Sequence, residues 1–394
     1  MISQRILNME PSATSMLAGK VTDMIAAGEN IISFNIGEPD FPTPQKIVSE
    51  CIQSLNEGKT KYSAVSGIQS LKKAICEKLK VDNNLSYVPT QICVSTGAKQ
   101  ALYNAIMTIC DPGDEIIILK PCWVSYIEMV KLAQGVPVLI PTKSDYSLEL
   151  DAIGSSITSK TKAIIINTPN NPTGSVYTKE ELLAVGELAV KNGIYIISDE
   201  IYEKLIYDDL KHISIAELSD AIYKRTITIN GFSKAYSMTG WRIGYSAAPI
   251  EIANGITSFQ SHVTSNSTTF IQWAAITGLS ECSEEIAIMR DEFLKRRDYM
   301  LKRLSRIPDI KCEKPGGAFY LMPDVSEYYR KSYNGILIKN SHGFCEYLLD
   351  KAKIAIVPGN AFEMPNAVRF SYSTSIENIT EGMDRIDAAL SQLV

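Results

Sequence analysis

The segment "KAIIINTPNNPTGSVYTKEELLAVGELAVKNGIYIISDE", residues 162–200, contains the pattern that decides the fold. Two apolar runs, 162–167 and 193–198, enclose an amphipathic stretch at 178–191. Strands that are apolar on both faces are typical of a parallel sheet covered by helices on either side. This segment therefore predicts a strand–helix–strand unit within an α/β domain.

The same alternation continues on both sides of this segment. Further elements are predicted as strands at 91–95, 115–119, 136–140 and 225–230 and as helices at 98–109 and 124–133. From about 250 to 306 the pattern is helical. Short strands of a smaller unit follow at 316–322, 354–359 and 367–373, before a capped amphipathic helix at the end. This order predicts a three-layer α/β domain and a smaller α+β unit.

The overall composition narrows the class of protein. The 394 residues include 45% hydrophobic and 21% charged residues, with a net charge of −5 and no basic block, which argues against a nucleic-acid partner. No run approaches the ~20 apolar residues that cross a bilayer, so we expect no membrane association. The absence of a secretory signal and of any Cys-x-x-Cys pair among the eight cysteines favours reduced thiols in the cytoplasm.

Few residues are available for metal or histidine chemistry. The sequence has three histidines, His212, His262 and His342, which argues against a multi-histidine metal site or a histidine base. No phosphate-loop, dinucleotide-binding or serine-hydrolase motif occurs. We therefore expect no metal, and an organic cofactor that supplies the chemistry.

Polar clusters follow four of the predicted strands, at the sheet edge where parallel α/β domains bind ligands. A glycine-containing turn at 96–99 opens a helix and offers N–H groups to an anion such as phosphate. Asn171 follows another strand, although Asn and Pro are also ordinary turn residues. Asp199 ends a buried strand, where it either meets a cation or caps a helix N-terminus.

Lys234 and Arg242 follow the last of these strands in "GFSKAYSMTGWRIGY", residues 231–245. They are either solvated loop cations or members of the same site. Apolar neighbours favour a neutral lysine amine, which a Schiff-base lysine requires, and Ser233 and Arg242 are placed to flank the anion. An anion site, a carboxylate, an amide and a lysine at one sheet edge suit pyridoxal 5′-phosphate (PLP).

Six segments match one family in order and spacing: "SFNIGEPDFPTP", "KYSAVSGI", "NTPNNPTG", "SDEIYEKL", "SKAYSMTGWRIGY" and "RFSYSTS". With them the chain resembles the fold-type I PLP enzymes of the class I aminotransferases, in the bacterial and archaeal branch of the aspartate aminotransferase family. The resemblance implies a large domain, residues 40–286, with a three-layer αβα architecture and a mainly parallel seven-stranded sheet. It implies a small α+β domain from residues 1–39 and 287–394.

The resemblance also implies which residues hold the cofactor. Lys234 matches the lysine that forms the Schiff base and then moves the substrate proton, and Asp199 matches the carboxylate paired with the pyridine nitrogen. Asn171 and Tyr202 match the groups that bind the phenolate oxygen of the ring. Trp123 matches the aromatic that stacks on the ring, with a core tryptophan as the alternative. The residues that match the phosphate site are Gly97, Ala98, Lys99, Ser233 and Arg242.

Substrate and subunit contacts follow from the same resemblance. Tyr62 matches a tyrosine that reaches the phosphate of the neighbouring subunit, which implies a homodimer with shared active sites. Arg369 matches the bidentate clamp on the substrate α-carboxylate, assisted by Asn171, Trp123 and the backbone of Gly37. The alternative for Arg369 is a solvent-facing residue on a strand.

The substrate is expected to be a dicarboxylic amino acid. Residues 259–275 contain no arginine, so they lack the group with which animal and enterobacterial relatives hold the distal carboxylate. In the branch that this chain resembles, a lysine after the phosphate turn takes that place, and Lys99 matches it; phosphate binding or solvent exposure is the alternative. Ser12 and Thr14 are possible further donors. We expect ping-pong transfer between aspartate and 2-oxoglutarate.

Other activities stay open at this point. Aromatic or prephenate transamination uses the same groups, and so does a PLP-dependent C–S lyase on the same fold. A PLP-binding transcription regulator is not expected, because such proteins carry an additional DNA-binding module.

Overall fold

The computed structural model describes residues 2–394, which form one large and several small sheets with helices packed around them. The strands, in chain order, are β1 Ile32–Ser33, β2 Ile92–Ser95, β3 Glu115–Lys120, β4 Val136–Pro141, β5 Thr161–Asn167, β6 Tyr195–Asp199, β7 Thr226–Gly231, β8 Gly244–Ala247, β9 Tyr320–Leu321, β10 Ser332–Tyr333, β11 Ile336–Leu337, β12 Ile354–Ala355, β13 Val357–Pro358 and β14 Val368–Ser371.

The helices, in chain order, are α1 Gln4–Leu7, α2 Ala13–Ala26, α3 Gln45–Asn56, α4 Gln69–Asn83, α5 Ala98–Ile109, α6 Ser125–Leu132, α7 Leu150–Ser155, α8 Lys179–Asn192, α9 Asp220–Tyr223, α10 Ile250–Val263, α11 Thr269–Glu281, α12 Ser283–Leu304, α13 Ser341–Lys351 and α14 Ile376–Leu390. Four short 3₁₀ turns lie at Pro89–Gln91, Ile215–Glu217, Ser326–Tyr328 and Gly359–Phe362. Among residues 2–394, no helix is both long and apolar enough to cross a bilayer.

The predicted α/β fold with a mainly parallel seven-stranded sheet is confirmed. The strand order is β2-β8-β7-β6-β5-β3-β4. Strands β3 to β7 pair in parallel, whereas β8 runs antiparallel to both of its neighbours, β2 and β7. The six strands predicted from apolar runs are all present, within two residues at each end.

The seventh strand, β8, was missed because "GYSA" is short and carries no apolar run. One residue of this strand, Gly244, is required by its contact with helix α5. A Cβ at Gly244 would lie 2.4 Å from the backbone nitrogen of Ala98, so only glycine allows the first turn of α5 to approach the sheet this closely. The close approach places the N-terminus of α5 at the sheet edge.

The two faces of the large sheet are covered by different helices. In β3, Ile116 and Ile118 pack with residues of α5, α6 and α10 on one face. The intervening Ile117, with Leu119, packs with residues of α7 and α8 on the other. This alternation buries every residue from 116 to 119, which is why the strand reads as a continuous apolar run.

The C-terminal part forms a smaller unit around a three-stranded antiparallel sheet in the order β13-β14-β9. The N-terminal segment joins it, because β1 pairs in parallel with β12 and the Phe34 carbonyl accepts a hydrogen bond from Ser371 N at 2.7 Å. Residues 35–37 continue from this point towards the large sheet. The domain limits given above, 40–286 against 1–39 with 287–394, stay a prediction.

Candidate active site

A cavity of about 370 Å³ lies where the carboxyl ends of the large-sheet strands face β14 and residues 35–37. It is lined by eleven of the thirteen predicted site residues: Gly37, Ala98, Lys99, Trp123, Asn171, Asp199, Tyr202, Ser233, Lys234, Arg242 and Arg369. Gly97 adjoins it at the start of α5. Tyr62 does not line it and is 93% exposed.

Lys234 lies in the loop after β7 and extends its amine into this cavity. Lys234 Nζ donates a hydrogen bond to the carbonyl of Gly37 and lies 5.7 Å from the centre of the Phe319 ring. Burial lowers the pKa of Lys234 to about 8, against the opposing effect of the Glu38 carboxylate. The alternative of a solvated loop cation is therefore wrong for Lys234.

Asp199 is the last residue of β6 and is 3% exposed. Its Oδ2 accepts a hydrogen bond from Tyr126 Oη at 2.6 Å, and its Oδ1 accepts one from Ile201 N at 3.2 Å. A turn rather than a helix follows, so the alternative of a helix cap is wrong. Burial raises the pKa of Asp199 to about 6, although the hydrogen bond from Tyr126 acts in the opposite direction.

The predicted anion site is the turn between β2 and α5. Gly97 has a φ of 85°, and a Cβ at this position would lie 2.6 Å from Arg242 Nη2. Arg242 is exposed, and its Nη1 donates to the Thr239 carbonyl at 2.7 Å. Ser233 is buried beside them. A helix N-terminus, a hydroxyl and a guanidinium thus converge as an anion site requires.

Arg369 is buried on β14, so the solvent-facing alternative is wrong. Its Nη1 donates to Asn171 Oδ1 and its Nη2 to the Asn35 carbonyl, both at 3.0 Å. The guanidinium lies close to two aromatic rings, 4.4 Å from the centre of Tyr320 and 4.8 Å from that of Phe362. Burial lowers the pKa of Arg369. Its Nε has no partner among the described residues.

The opposite wall of the cavity is formed by Trp123 and Lys99. The Trp123 ring packs edge-on against Tyr126, with centroids 5.4 Å apart, and it is only partly buried. Lys99 Nζ lies 4.8 Å from the Trp123 ring centre. Partial burial and then the positive charge of Arg242 lower the pKa of Lys99. The Tyr202 hydroxyl forms a 2.8 Å hydrogen bond with that of Tyr320.

Three residues that sequence reasoning missed complete the site. Tyr126 contacts the Asp199 carboxylate, and Asn167 Nδ2 donates to the Asp199 carbonyl at 3.0 Å while its Oδ1 accepts from Asn171 N at 2.9 Å. Tyr320 contacts both Tyr202 and Arg369. Their positions in the sequence could have identified two of them. Asn167 is the last residue of strand β5, and Tyr126 lies within "PCWVSY", the segment that contains Trp123.

Known proteins are similar to this chain over almost its whole length. Residues 29–386 match the family Aminotransferase class I and II. Aspartate aminotransferase of Bacillus sp. (strain YM-2) is 46% identical, with 98% of each chain covered. A probable aspartate/prephenate aminotransferase of Aquifex aeolicus is 44% identical over 100% of this chain and 99% of its own.

A solved structure has the same overall architecture. Aspartate aminotransferase from Thermus thermophilus with maleate superposes with a TM-score of 0.93 at 38% identity, with 99% of each chain covered. Matches of this length and identity identify the family rather than the fold alone. The chain belongs to the class I and II aminotransferases, enzymes that use pyridoxal 5′-phosphate as their cofactor.

Proposed function

We propose that this aminotransferase exchanges the amino group between L-aspartate and 2-oxoglutarate in a ping-pong reaction. The observation that carries the proposal is that two separate cationic groups, Arg369 and Lys99, line one cavity in addition to Lys234 and to Arg242 at the anion turn. Two cations suit a substrate with a carboxylate at each end. The printed names of the relatives include aspartate aminotransferase, and the Thermus structure contains maleate, a dicarboxylate.

The residues around the cavity fit PLP. Asp199 is buried and no cation among residues 2–394 contacts it, which suits a carboxylate that receives a protonated ring nitrogen. Asn171 and Tyr202 would hold the phenolate oxygen, and Trp123 would stack on the ring. The glycine turn supports a phosphate site at Gly97, Ala98, Ser233 and Arg242 and at the backbone of Lys99, which leaves the Lys99 amine for the substrate. When bound, PLP supplies an electron sink for the negative charge that forms at the substrate α-carbon.

The chain itself positions the substrate and moves its proton. Arg369 would bind the α-carboxylate in bidentate fashion, with Asn171 keeping the guanidinium in place. The Lys234 amine would be the point at which the cofactor is covalently attached. Once released, this amine would take the proton from the substrate α-carbon and donate it to the cofactor. Burial that lowers its pKa to about 8 keeps a useful fraction of this amine neutral near neutral pH.

Lys99 would bind the distal carboxylate. Its amine lies beside Trp123, and Thr14 and Ser15 of α2 line the same cavity. Both are hydroxyl residues able to add hydrogen bonds. An enzyme selective for aromatic amino donors does not need a cation at this position. The presence of Lys99 therefore favours aspartate over an aromatic donor. Prephenate, which carries two carboxylates, stays the second candidate acceptor class, and one relative's name includes it.

The experiment is a panel of amino donors with 2-oxoglutarate, run on the native enzyme and on Lys99→Ala. Losing one charge-assisted contact costs about 1.5–3 kcal/mol, so kcat/KM for aspartate should fall by about 10- to 100-fold while that for phenylalanine does not fall. Lys73→Ala, on the exposed face of α4, is the matched control. Retained aspartate turnover in Lys99→Ala would remove Lys99 from the distal site.

Covalent attachment has its own test. Borohydride reduction of the holoenzyme followed by peptide mapping should place the label on Lys234. Incubation with one amino acid alone separates a transaminase from a C–S lyase, since only the lyase turns over repeatedly without an acceptor. A label on another lysine would overturn the proposed site.

We also propose a cytoplasmic homodimer. The exposed Tyr62 ring supports a role towards a second copy of the chain, because a tyrosine that reaches across an interface is uncovered in a single chain. None of the eight cysteines is paired, which suits a reducing compartment. Light scattering at micromolar concentration tests the dimer, and a monomer that turns over substrate at the native rate would contradict it.

A further inference from the structure

A closed group of buried polar side chains lies on the far side of the sheet from the cavity, next to Asp199 in the chain. Glu200 directly follows the end of β6 and is fully buried. It contacts Ser198, whose side chain lies on the face of β6 opposite to that of Asp199, because successive side chains alternate along a strand. Its Oε1 accepts from Ser198 Oγ at 2.9 Å. Its Oε2 accepts from Ser214 Oγ at 2.5 Å and lies 3.0 Å from His212 Nε2.

A second carboxylate, Glu203, belongs to the same group. Lys78 of α4 forms an ion pair with Glu203 and donates to Asn83 Oδ1 at 2.6 Å. Asn83 Nδ2 in turn donates to Glu203 Oε2 at 2.7 Å and to Ser214 Oγ at 3.0 Å. Although burial opposes ionisation of Glu203, Lys78 and then His212 and Lys204 lower its pKa to about 2. Glu203 is therefore ionised and compensated by Lys78.

The charge count of the group leaves one carboxylate without a cation. Lys78 compensates Glu203, and at the rim Lys204 pairs with Asp82 at 2.7 Å, so neither is free to compensate Glu200. A buried carboxylate without a cation is strongly destabilising. His212, whose side chain is 9% exposed, is in direct contact with Glu200 and can carry the missing charge.

We propose that His212 is a positioning residue whose imidazolium neutralises Glu200 and thereby sets the electrostatic potential at Asp199 and at the cofactor ring. The inference rests on the proposed place of Asp199 beside the ring nitrogen. The charged groups around His212 are Glu200, Glu203, Lys78 and Glu217. Burial by itself lowers the pKa of His212, but Glu200 and Glu203 raise it above its ordinary value against the opposing charge of Lys78.

The competing arrangement is a neutral imidazole. Its Nε2–H would donate to Glu200, and Nδ1, which has no partner among residues 2–394, would be an unpaired acceptor, whereas in the imidazolium the same nitrogen is an unpaired donor. In that case Glu200 keeps a full negative charge one residue from Asp199. The two arrangements therefore differ by one charge at the back of the cofactor site, and this difference is measurable.

The first test is the pH titration of the visible absorbance of the bound cofactor in the holoenzyme. With His212→Gln, Glu200 loses its cation, and the added negative potential should shift the absorbance midpoint upward by roughly one pH unit. The double variant His212→Gln/Glu200→Gln restores neutrality, so its midpoint should return to the native value. His342→Gln is the matched control, because the His342–Glu346 pair is exposed to solvent.

The opposite ordering would overturn the proposal. A midpoint that shifts further in the double variant than in His212→Gln alone would show that His212 does not neutralise Glu200. A bound cofactor that titrates at the native midpoint in all three variants removes the role of His212 but leaves the proposed function intact. A native protein with no cofactor absorbance would instead overturn the proposed function.

A second measurement needs no variant of the buried group. The chain has three histidines, so the ring nitrogens of a ¹⁵N-histidine-labelled holoenzyme are assigned by loss of signals in His262→Gln and His342→Gln, both at exposed positions. At pH 6.5, the ordinary pKa of an imidazole, the remaining ring should be mostly protonated on both nitrogens, because the pKa of His212 is raised above this value. A neutral His212 ring at this pH would overturn the proposal.

Discussion

Asp199 and Glu200 are neighbours in the chain, both acidic and both buried, yet they lie in opposite surroundings. Asp199 faces an open cavity and is contacted by a tyrosine hydroxyl and a backbone N–H, and no cation in the described part of the chain contacts it. Glu200 faces a closed group in which a histidine and two serines saturate its oxygens.

This difference distinguishes a carboxylate that can pair with a charged ligand from one that the chain itself neutralises. A buried carboxylate that is hydrogen-bonded and neutralised by residues of the chain stabilises the fold. A buried carboxylate without a cation can instead bind a ligand group that carries a positive charge. Substitutions on the two sides of the sheet should therefore differ in what they damage. The predictions below run from the largest expected effect to the smallest.

Asp199→Asn should lower kcat by about 10²–10⁴-fold, because an amide keeps the shape but cannot keep the ring nitrogen protonated. The cofactor-free protein should lose no stability, since the substitution removes a buried charge that has no cation. Steady-state kinetics and thermal unfolding measure the two effects, with exposed Asp350→Asn as the control. Native turnover in Asp199→Asn would show that this carboxylate is remote from the reaction.

Lys78→Met should show the reverse pattern. Removing this ammonium leaves Glu203 as a buried charge without its cation, which costs about 3–5 kcal/mol of unfolding free energy. The kcat of the folded Lys78→Met protein should change much less than that of Asp199→Asn. The measurement is denaturant unfolding of Lys78→Met, with Lys73→Met as the control, because Lys73 is an exposed residue of the same helix α4. Equal stability of the two variants would contradict the proposed ion pair.

Asp199 should contribute a loss of stability to the cofactor-free protein as the pH rises from about 4 to about 6. The folded-state pKa of Asp199, about 6, lies above its ordinary value of 3.8, so the folded chain binds more protons than the unfolded chain in this window. Each pKa unit corresponds to about 1.4 kcal/mol, and the total contribution is therefore about 3 kcal/mol. Unfolding measured across this range should lose that slope in Asp199→Asn.

Tyr126→Phe should weaken the site without disrupting the fold. It removes the 2.6 Å donor to Asp199, and a hydrogen bond to a charged group contributes about 1.5–3 kcal/mol. We expect PLP to bind at least about tenfold more weakly, as measured by equilibrium dialysis. Tyr103→Phe in α5 is the control, because Tyr103 does not line the cavity. Unchanged PLP affinity in Tyr126→Phe would assign its hydroxyl a structural role.

Much of the large sheet could be predicted from its residues. The strand β5 and the helix α8 are recognisable because burial on both faces demands continuous apolar runs, and because Thr178 and Glu181 form a reciprocal cap at the start of α8. The strand β8 gave no such signal. The position of β8 depends on Gly244. Glycine is required there because the backbone of Ala98 packs against it, and this contact exists only in the folded structure.

The order of the motifs and the types of their residues determined the family, the cofactor chemistry and the lysine that should carry it. Only the tertiary structure decided which acidic residue faces the cavity and which faces the closed group, because the strand direction and the helices on each face set the environment of Asp199 and Glu200. It also brought Tyr126, Asn167 and Tyr320 to the site. Hydrogen-bond partners so distant in the chain leave no local pattern, since their contacts depend on packing rather than on sequence spacing.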